Sequence, residues 1–353
     1  MQMRTAVVGA GVVGLSTAYA LLRHGSDAVV FETGAPMAAR STGSSRVFRL
    51  AHGDPGLVAY AAAAAGLWAD WAHRAGNRLV GQQGTVVTGP RAESWAAAMA
   101  SAGVDHRLID ADDLDPTELG LPVEALPGPA LVDPAGGVID AVATGRFLRA
   151  AIGNRIRYEH IHRIEPHGDW VEVHGSEGVH EVDRVVVAAG RGSMELATQV
   201  GMYLPTELSH HARFTFRLKD PDQAPPCWLD GTESWRPGIT SYQQLAGPGK
   251  WAIGLDLPAA DTAWELGRTE VVDELREMTR TYVREVLVGV DDEIVEEIYC
   301  DSPTSLGDGV HVATTGPVTV VWGANLFKHA PAIGQTLANA AVNDTTPRVP
   351  RSE

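Results

Sequence analysis

The chain has 353 residues and a formal net charge of −16 at pH 7. A surface that acidic repels phosphate backbones, which argues against nucleic acid as a partner. With 44 % apolar and 20 % charged residues the chain can bury a sizeable core, is not globally disordered, and is long enough for two interleaved domains.

In chain order, Thr5–Val8 reads as a short buried strand, Gly14–His24 as a helix with one apolar face ended by Gly25, and Ala28–Phe31 as a second strand closed by Glu32. The apolar run from Thr5 to Leu22 could pass for a leader peptide, but glycines interrupt it and no Ala-x-Ala cleavage site follows. Residues 59–75 read as a helix with Leu67, Trp68 and Trp71 on one face. The acid- and proline-rich stretch from Asp110 to Pro134 reads as a loop excursion outside the core. Gly136–Asp140 then leads into a helix through Arg149. Trp170–Val173 and Val179–Val182 form a predicted hairpin, and Val185–Gly190 a buried strand ending on glycine. Alternation over Arg213–Leu218 predicts a sheet with one solvated face. A charged helix over Glu265–Val286, a strand over Val318–Trp322 and a helix from about Ala332 follow. The polar tail after Asn343 is expected to be disordered.

Two cysteines, Cys227 and Cys300, are too few for a disulfide framework, and a reducing cytoplasm suits them. No CxxC pair or His/Cys cluster has zinc-ligand spacing, so no metal is expected. No run of 18 apolar residues predicts a membrane span.

Gly9-x-Gly11-x-x-Gly14 follows the first strand and opens the helix. In such a turn the first glycine bends the chain, the second lets backbone approach a pyrophosphate, and the third permits close helix–strand packing. Glu32 ends the second strand, where a carboxylate can accept hydrogen bonds from ribose hydroxyls, and an acid there disfavours NADP. The run Ala39–Arg46, with Ser44, Ser45 and two arginines, suits further phosphate contacts. With the late strand ending at Gly190, it favours FAD over NAD, whose domain is usually built from contiguous chain. The alternative is an ordinary turn in a core.

Four segments then resemble the D-amino-acid-oxidase superfamily of flavoproteins, nearest its monomeric sarcosine oxidase and N-methyltryptophan oxidase branch. They are this fingerprint with Glu32, Ser44–His52, Asp183–Gly192 and Cys300–Gly334; Gly136–Asp140 adds to them. The resemblance implies an α/β fold, with a Rossmann-like FAD domain of the glutathione-reductase type and an inserted β-rich substrate domain. The segments expected for FAD are 1–80, 135–205 and 295–345; those for substrate are 81–134 and 206–294, with 346–353 as tail. It implies Arg46 against the flavin ring, and Arg49 and Lys328 holding a substrate carboxylate. Cys300 falls at the position of the covalent flavin link, so the FAD is expected to be tethered there. The bland alternatives are surface cations and a buried cysteine. The branch's oxygen-promoting lysine falls at Ala252 and a histidine at Asp256; Lys250 and Tyr242 are the candidates to stand in. The loop Gly323-Ala324-Asn325 is shorter than the family's and lacks its histidine.

The activity implied is oxidation of a C–N bond of a small amine or amino acid, secondary or cyclic, by hydride transfer to the flavin, with oxygen as acceptor. Two other readings are a flavin dehydrogenase with a different acceptor and a biosynthetic flavoprotein that is non-catalytic or acts on a carrier-bound or non-amino-acid substrate.

Overall fold

A computed structural model describes residues 3–204, 207–303 and 308–350. The chain divides into two compact units. One holds Met1–Thr42, Ala143–Thr206 and Ser305–Glu353; the other holds Gly43–Val142 and Glu207–Thr304.

The first unit is built on a six-stranded sheet. Its order is Val310–Thr315, Val318–Gly323, Arg184–Val187, Arg4–Val8, Asp27–Glu32 and Ile156–Tyr158. All neighbours run parallel except the first pair. A central parallel strand must be apolar on both faces, and Ala6, Val7 and Val8 are all buried. Ala6 and Val8 face a core shared with Val171 and Val173, from the three-stranded sheet Ile161–His167, Trp170–Gly175 and Gly178–Val182. Helices Val12–Arg23 and Ala330–Asn343 pack on each other so closely that a Cβ on Gly334 would lie 2.5 Å from the Ser16 backbone. On the small sheet's exposed side Glu165, His167 and Glu172 have ligand atoms within 4.8 Å of one another.

The second unit is an eight-stranded sheet. The order is Glu296–Pro303, Leu208–Arg217, Lys250–Asp256, Thr240–Leu245, Cys227–Asp230, Thr85–Thr88, Ala130–Asp133 and Arg107–Ile109. Period-2 alternation sends Phe214, Phe216, Trp251, Ile253 and Leu255 to one face, against Val271, Leu275 and Val283 of helix Arg268–Val286. Strand Ser45–Phe48 pairs with Gly137–Asp140, so residues 43–80 and 135–142 belong to this unit, as does the strand carrying Cys300. The sequence reading placed all three segments in the nucleotide domain; its boundary at 205/206 lies outside the described residues.

Two expectations are corrected. Residues 110–134 are not outside the core: Leu121, Val123 and Ala130 are buried in it, because Ala130–Asp133 is an inner strand. Nor is the second face of Leu208–Arg217 solvated, since Arg213 is 5 % and Thr215 0 % exposed. Helix Ala330–Asn343 is the last regular element; residues 351–353 of the expected tail lie outside the described residues. No helix among the described residues is long and apolar enough to cross a membrane.

Candidate active site

In the first unit the chain reverses its direction of sheet growth at strand Arg4–Val8, with Asp27–Glu32 on one side and Arg184–Val187 on the other. The C-terminal ends of such strands form the ligand crevice of an open parallel sheet. Gly9 turns there with φ +103°, and a Cβ on it would lie 2.5 Å from the Ala188 carbonyl oxygen. A Cβ on Gly14 would lie 1.9 Å from the Gly9 carbonyl oxygen. Glycine is therefore required at both positions. Helix Val12–Arg23 starts on Gly11, which has no side chain to cap it, and carries no acid in its first turn, so its positive end suits an anion. The Ser41 hydroxyl accepts from Val12 N–H at 3.0 Å.

Glu32 accepts from Ala10 N–H at 2.8 Å and Gly34 N–H at 3.0 Å. A carboxylate has about four acceptor sites, so the two bonds orient it and leave capacity for ribose. Gly190, at φ +58°, begins the turn after strand Arg184–Val187. These residues fit the diphosphate and ribose of FAD. Lys328 is buried at 4 % exposure; its Nζ donates to Asp308 Oδ1 at 3.1 Å and to the Asn325 carbonyl at 3.3 Å.

In the second unit the sheet face opposite the aromatic core is polar and yet buried. Cross-strand register places Arg213 beside Gly254 and Ile298, Gly254 beside Tyr242, and Thr215 beside Ala252. Arg213 and Arg46 both donate to the Ser45 carbonyl, at 3.0 and 2.7 Å. Gln244 Nε2 reaches the Ser45 hydroxyl at 3.4 Å. Two nitrogens of Arg213, the Gln244 carbonyl and the Ser44 hydroxyl have no hydrogen-bond partner among the described residues. Buried polar groups are nearly always paired, so this face is shaped for a polar ligand. The ring of Tyr242 lies over Gly254, where a Cβ would be 2.4 Å from it. Burial pushes its phenol well above the usual range, so it stays neutral. Lys250 lies on the same face as Ala252, but at the strand's first residue, where it is exposed.

Arg49 is 5 % exposed and stacks on Trp95 at 4.6 Å; it bonds the Ala51 carbonyl and contacts His52 Nδ1 at 2.9 Å. Asp133, which the sequence reading missed, accepts from the N–H groups of Leu50, at 2.5 Å, and Ala51, at 3.2 Å, and so fixes the backbone after Arg49. Burial raises its carboxyl above the usual range, with the backbone N–H bonds opposing. Asp133→Ala should strand two buried amides and cost about 2–4 kcal/mol in denaturant unfolding; a loss under 1 kcal/mol would show that water replaces the carboxylate. Cys227 is fully buried, and burial pushes its thiol far up. Cys300 is half-buried, with Sγ 3.6 Å from His211 Nδ1. The sequence also does not single out His211, Arg213 and Gln244 as site residues; only Arg213 carries a signal, as the first residue of the alternating run Arg213–Leu218.

A glycine-lined crevice for a dinucleotide, joined in one chain to a sheet with a buried, arginine-bearing face, defines an FAD-dependent oxidoreductase. The chain matches the FAD-dependent oxidoreductase family DAO over residues 4–340 and belongs to it. No curated protein sequence matches it. Among solved structures it is similar to NikD, an unusual amino acid oxidase essential for nikkomycin biosynthesis, with 22 % identity, TM-score 0.83, and 98 % of this chain and 96 % of that one covered. It is also similar to L-proline dehydrogenase from P. horikoshii, with 15 % identity, TM-score 0.79 and 98 % and 94 % covered. For glycine oxidase from Geobacillus kaustophilus the values are 17 % identity, TM-score 0.73 and 99 % and 97 % covered.

Proposed function

We propose that the protein oxidises a C–N bond of a small amino acid, secondary or cyclic, with dioxygen as the acceptor. FAD, when bound, would accept the hydride, which carries both electrons of the oxidation. The observation that carries the carboxylate-bearing substrate is the buried arginine set of the second unit. Arg213 keeps two donors unanswered beside Arg46, and the Arg49 guanidinium lies 4.6 Å over the Trp95 ring. Buried guanidinium nitrogens without a partner, as on Arg213, are costly, and an anion offsets that cost. In this reading Arg46 serves the flavin ring, while Arg49 binds the substrate carboxylate through its planar fork and the resemblance assigns Lys328 to the same task. Ser44, Ser45 and Gly190 serve the FAD, Cys300 tethers it, and Tyr242 supplies a neutral hydroxyl. Similarity to an amino acid oxidase, a proline dehydrogenase and a glycine oxidase supports an amino acid substrate.

Anaerobic mixing with amino acids and their methyl esters tests the substrate class. The acids should bleach the flavin and the esters should do so at least tenfold more slowly; equal rates would remove the carboxylate from the proposal.

One observation favours a dehydrogenase instead. Ala252 occupies the position of the oxygen-promoting lysine and is fully buried, while Lys250 is exposed. Oxygen uptake matching substrate consumed would decide for an oxidase. Turnover only with an artificial acceptor would decide for a dehydrogenase, and an unchanged oxygen rate in Lys250→Ala would remove Lys250 from either.

A further inference from the structure

Strand Leu208–Arg217 places His211 directly opposite Cys300 of strand Glu296–Pro303. The thiol sulfur lies 3.6 Å from Nδ1, and Nε2 lies 3.7 Å from Asp256 Oδ1 on the strand that flanks the other side. The Tyr242 ring stacks on the imidazole, with centroids 5.6 Å apart and an interplanar angle of 20°. A thiol, an imidazole and a carboxylate are thus strung across three neighbouring strands, each fixed by sheet register.

We propose that His211 is the base that holds Cys300 as a thiolate, and that Asp256 steadies the resulting imidazolium. The groups facing the imidazole are Cys300, Asp256, Tyr242 and, from its own strand, Arg213. Burial works to lower the basicity of His211, and Arg213 opposes the imidazolium. The sulfur and Asp256 outweigh both, so the net shift is upward. Tyr242 is held neutral by burial and adds no charge. Asp256 is 57 % exposed, so its contribution is screened and smaller than that of the sulfur.

The reactive consequence rests on the reading that Cys300 tethers FAD. The proton passes from Sγ to Nδ1, and the thiolate adds to the 8α-carbon of the flavin, which has lost one proton to solvent. A C–S bond forms and the electron pair remains on the ring, reducing it by two electrons. Dioxygen takes the pair and two protons and leaves as hydrogen peroxide, which restores the oxidised, tethered flavin.

The test uses the full chain produced in a flavin-starved host. Iodoacetamide alkylation of Cys300 is followed by mass spectrometry from pH 5.5 to 10, with fully buried Cys227 as the unreactive internal reference. The wild-type rate should reach its plateau below about pH 7, whereas in His211→Gln it should climb to about pH 9, the range of an ordinary thiol. Asp256→Asn should shift the profile by less. FAD is then added and acid-stable flavin is measured over time; His211→Gln should slow its formation at least tenfold. Identical alkylation profiles in wild type and His211→Gln would overturn the pair, and Asp256→Asn provides the same comparison if His211→Gln fails to fold. A low-pH plateau in a wild type that never forms acid-stable flavin would keep the thiolate pair and remove the tether.

Discussion

Alanine at Gly14 is expected to yield a colourless and poorly stable protein. The new methyl carbon would lie 1.9 Å from the Gly9 carbonyl oxygen, backbone against backbone, with no flexible atom to yield. Relieving that overlap means moving helix Val12–Arg23 off strand Arg4–Val8, at the upper end of overpacking costs, about 3 kcal/mol. Gly11→Val is the informative partner. A Cβ there meets the Ser41 hydroxyl at 3.3 Å, a tight contact that a shift of a few tenths of an ångström in that side chain relieves. Its two methyl groups project instead where the pyrophosphate must approach. Gly11→Val should therefore melt near wild type and lack the flavin absorbance near 450 nm, whereas Gly14→Ala should lose both. A yellow Gly14→Ala protein with a normal melting curve would mean that the crevice is built otherwise.

Arg49→Met should lower kcat/KM for amino acids by roughly 30- to 1,000-fold, about 2–4 kcal/mol of lost binding to the transition state. The methionine keeps much of the buried volume and the contact with Trp95 while removing the fork. The loss should fall on acids and spare their esters, and flavin content should be unchanged. Lys328→Met should show the same selectivity with a smaller effect, because Asp308 already neutralises that ammonium. If Arg49→Met slows acids and esters alike, Arg49 positions the backbone that Asp133 fixes and does not bind substrate.

What the sequence discloses follows from how local each signal is. The strand, three glycines, helix and Glu32 span 29 residues, and each part constrains its neighbour, so the nucleotide crevice is legible from residues alone. The same holds for the hairpin at Trp170–Val182. The second unit is different. Its strands Thr85–Thr88, Ala130–Asp133 and Cys227–Asp230 have four residues each and take partners from far along the chain. Asp133 sits in a stretch whose acids and prolines resemble a surface loop. Its role becomes visible only when residues 83 positions apart are joined, as the bond to Leu50 N–H joins them. Arg213-Phe214-Thr215-Phe216 carries the alternation of a half-solvated strand, but period 2 reports only that the two faces differ. The polar face packs on the Ser45 backbone and Gln244, and no periodicity distinguishes water from a buried polar partner.

The pairing of the first helix with the last has a consequence for biosynthesis. Helix Val12–Arg23 is synthesised long before helix Ala330–Asn343, whose Gly334 and its neighbours close one side of the earlier helix. The central strand likewise waits for Arg184–Val187, and that strand for Val318–Gly323. At about 5–20 residues per second the fingerprint is exposed on the nascent chain for roughly 15–60 s before its last support is made. Over that interval its apolar strands are candidates for chaperone binding. Loading of FAD becomes a post-translational event, and chains truncated before residue 330 should accumulate as aggregates that no excess of cofactor rescues.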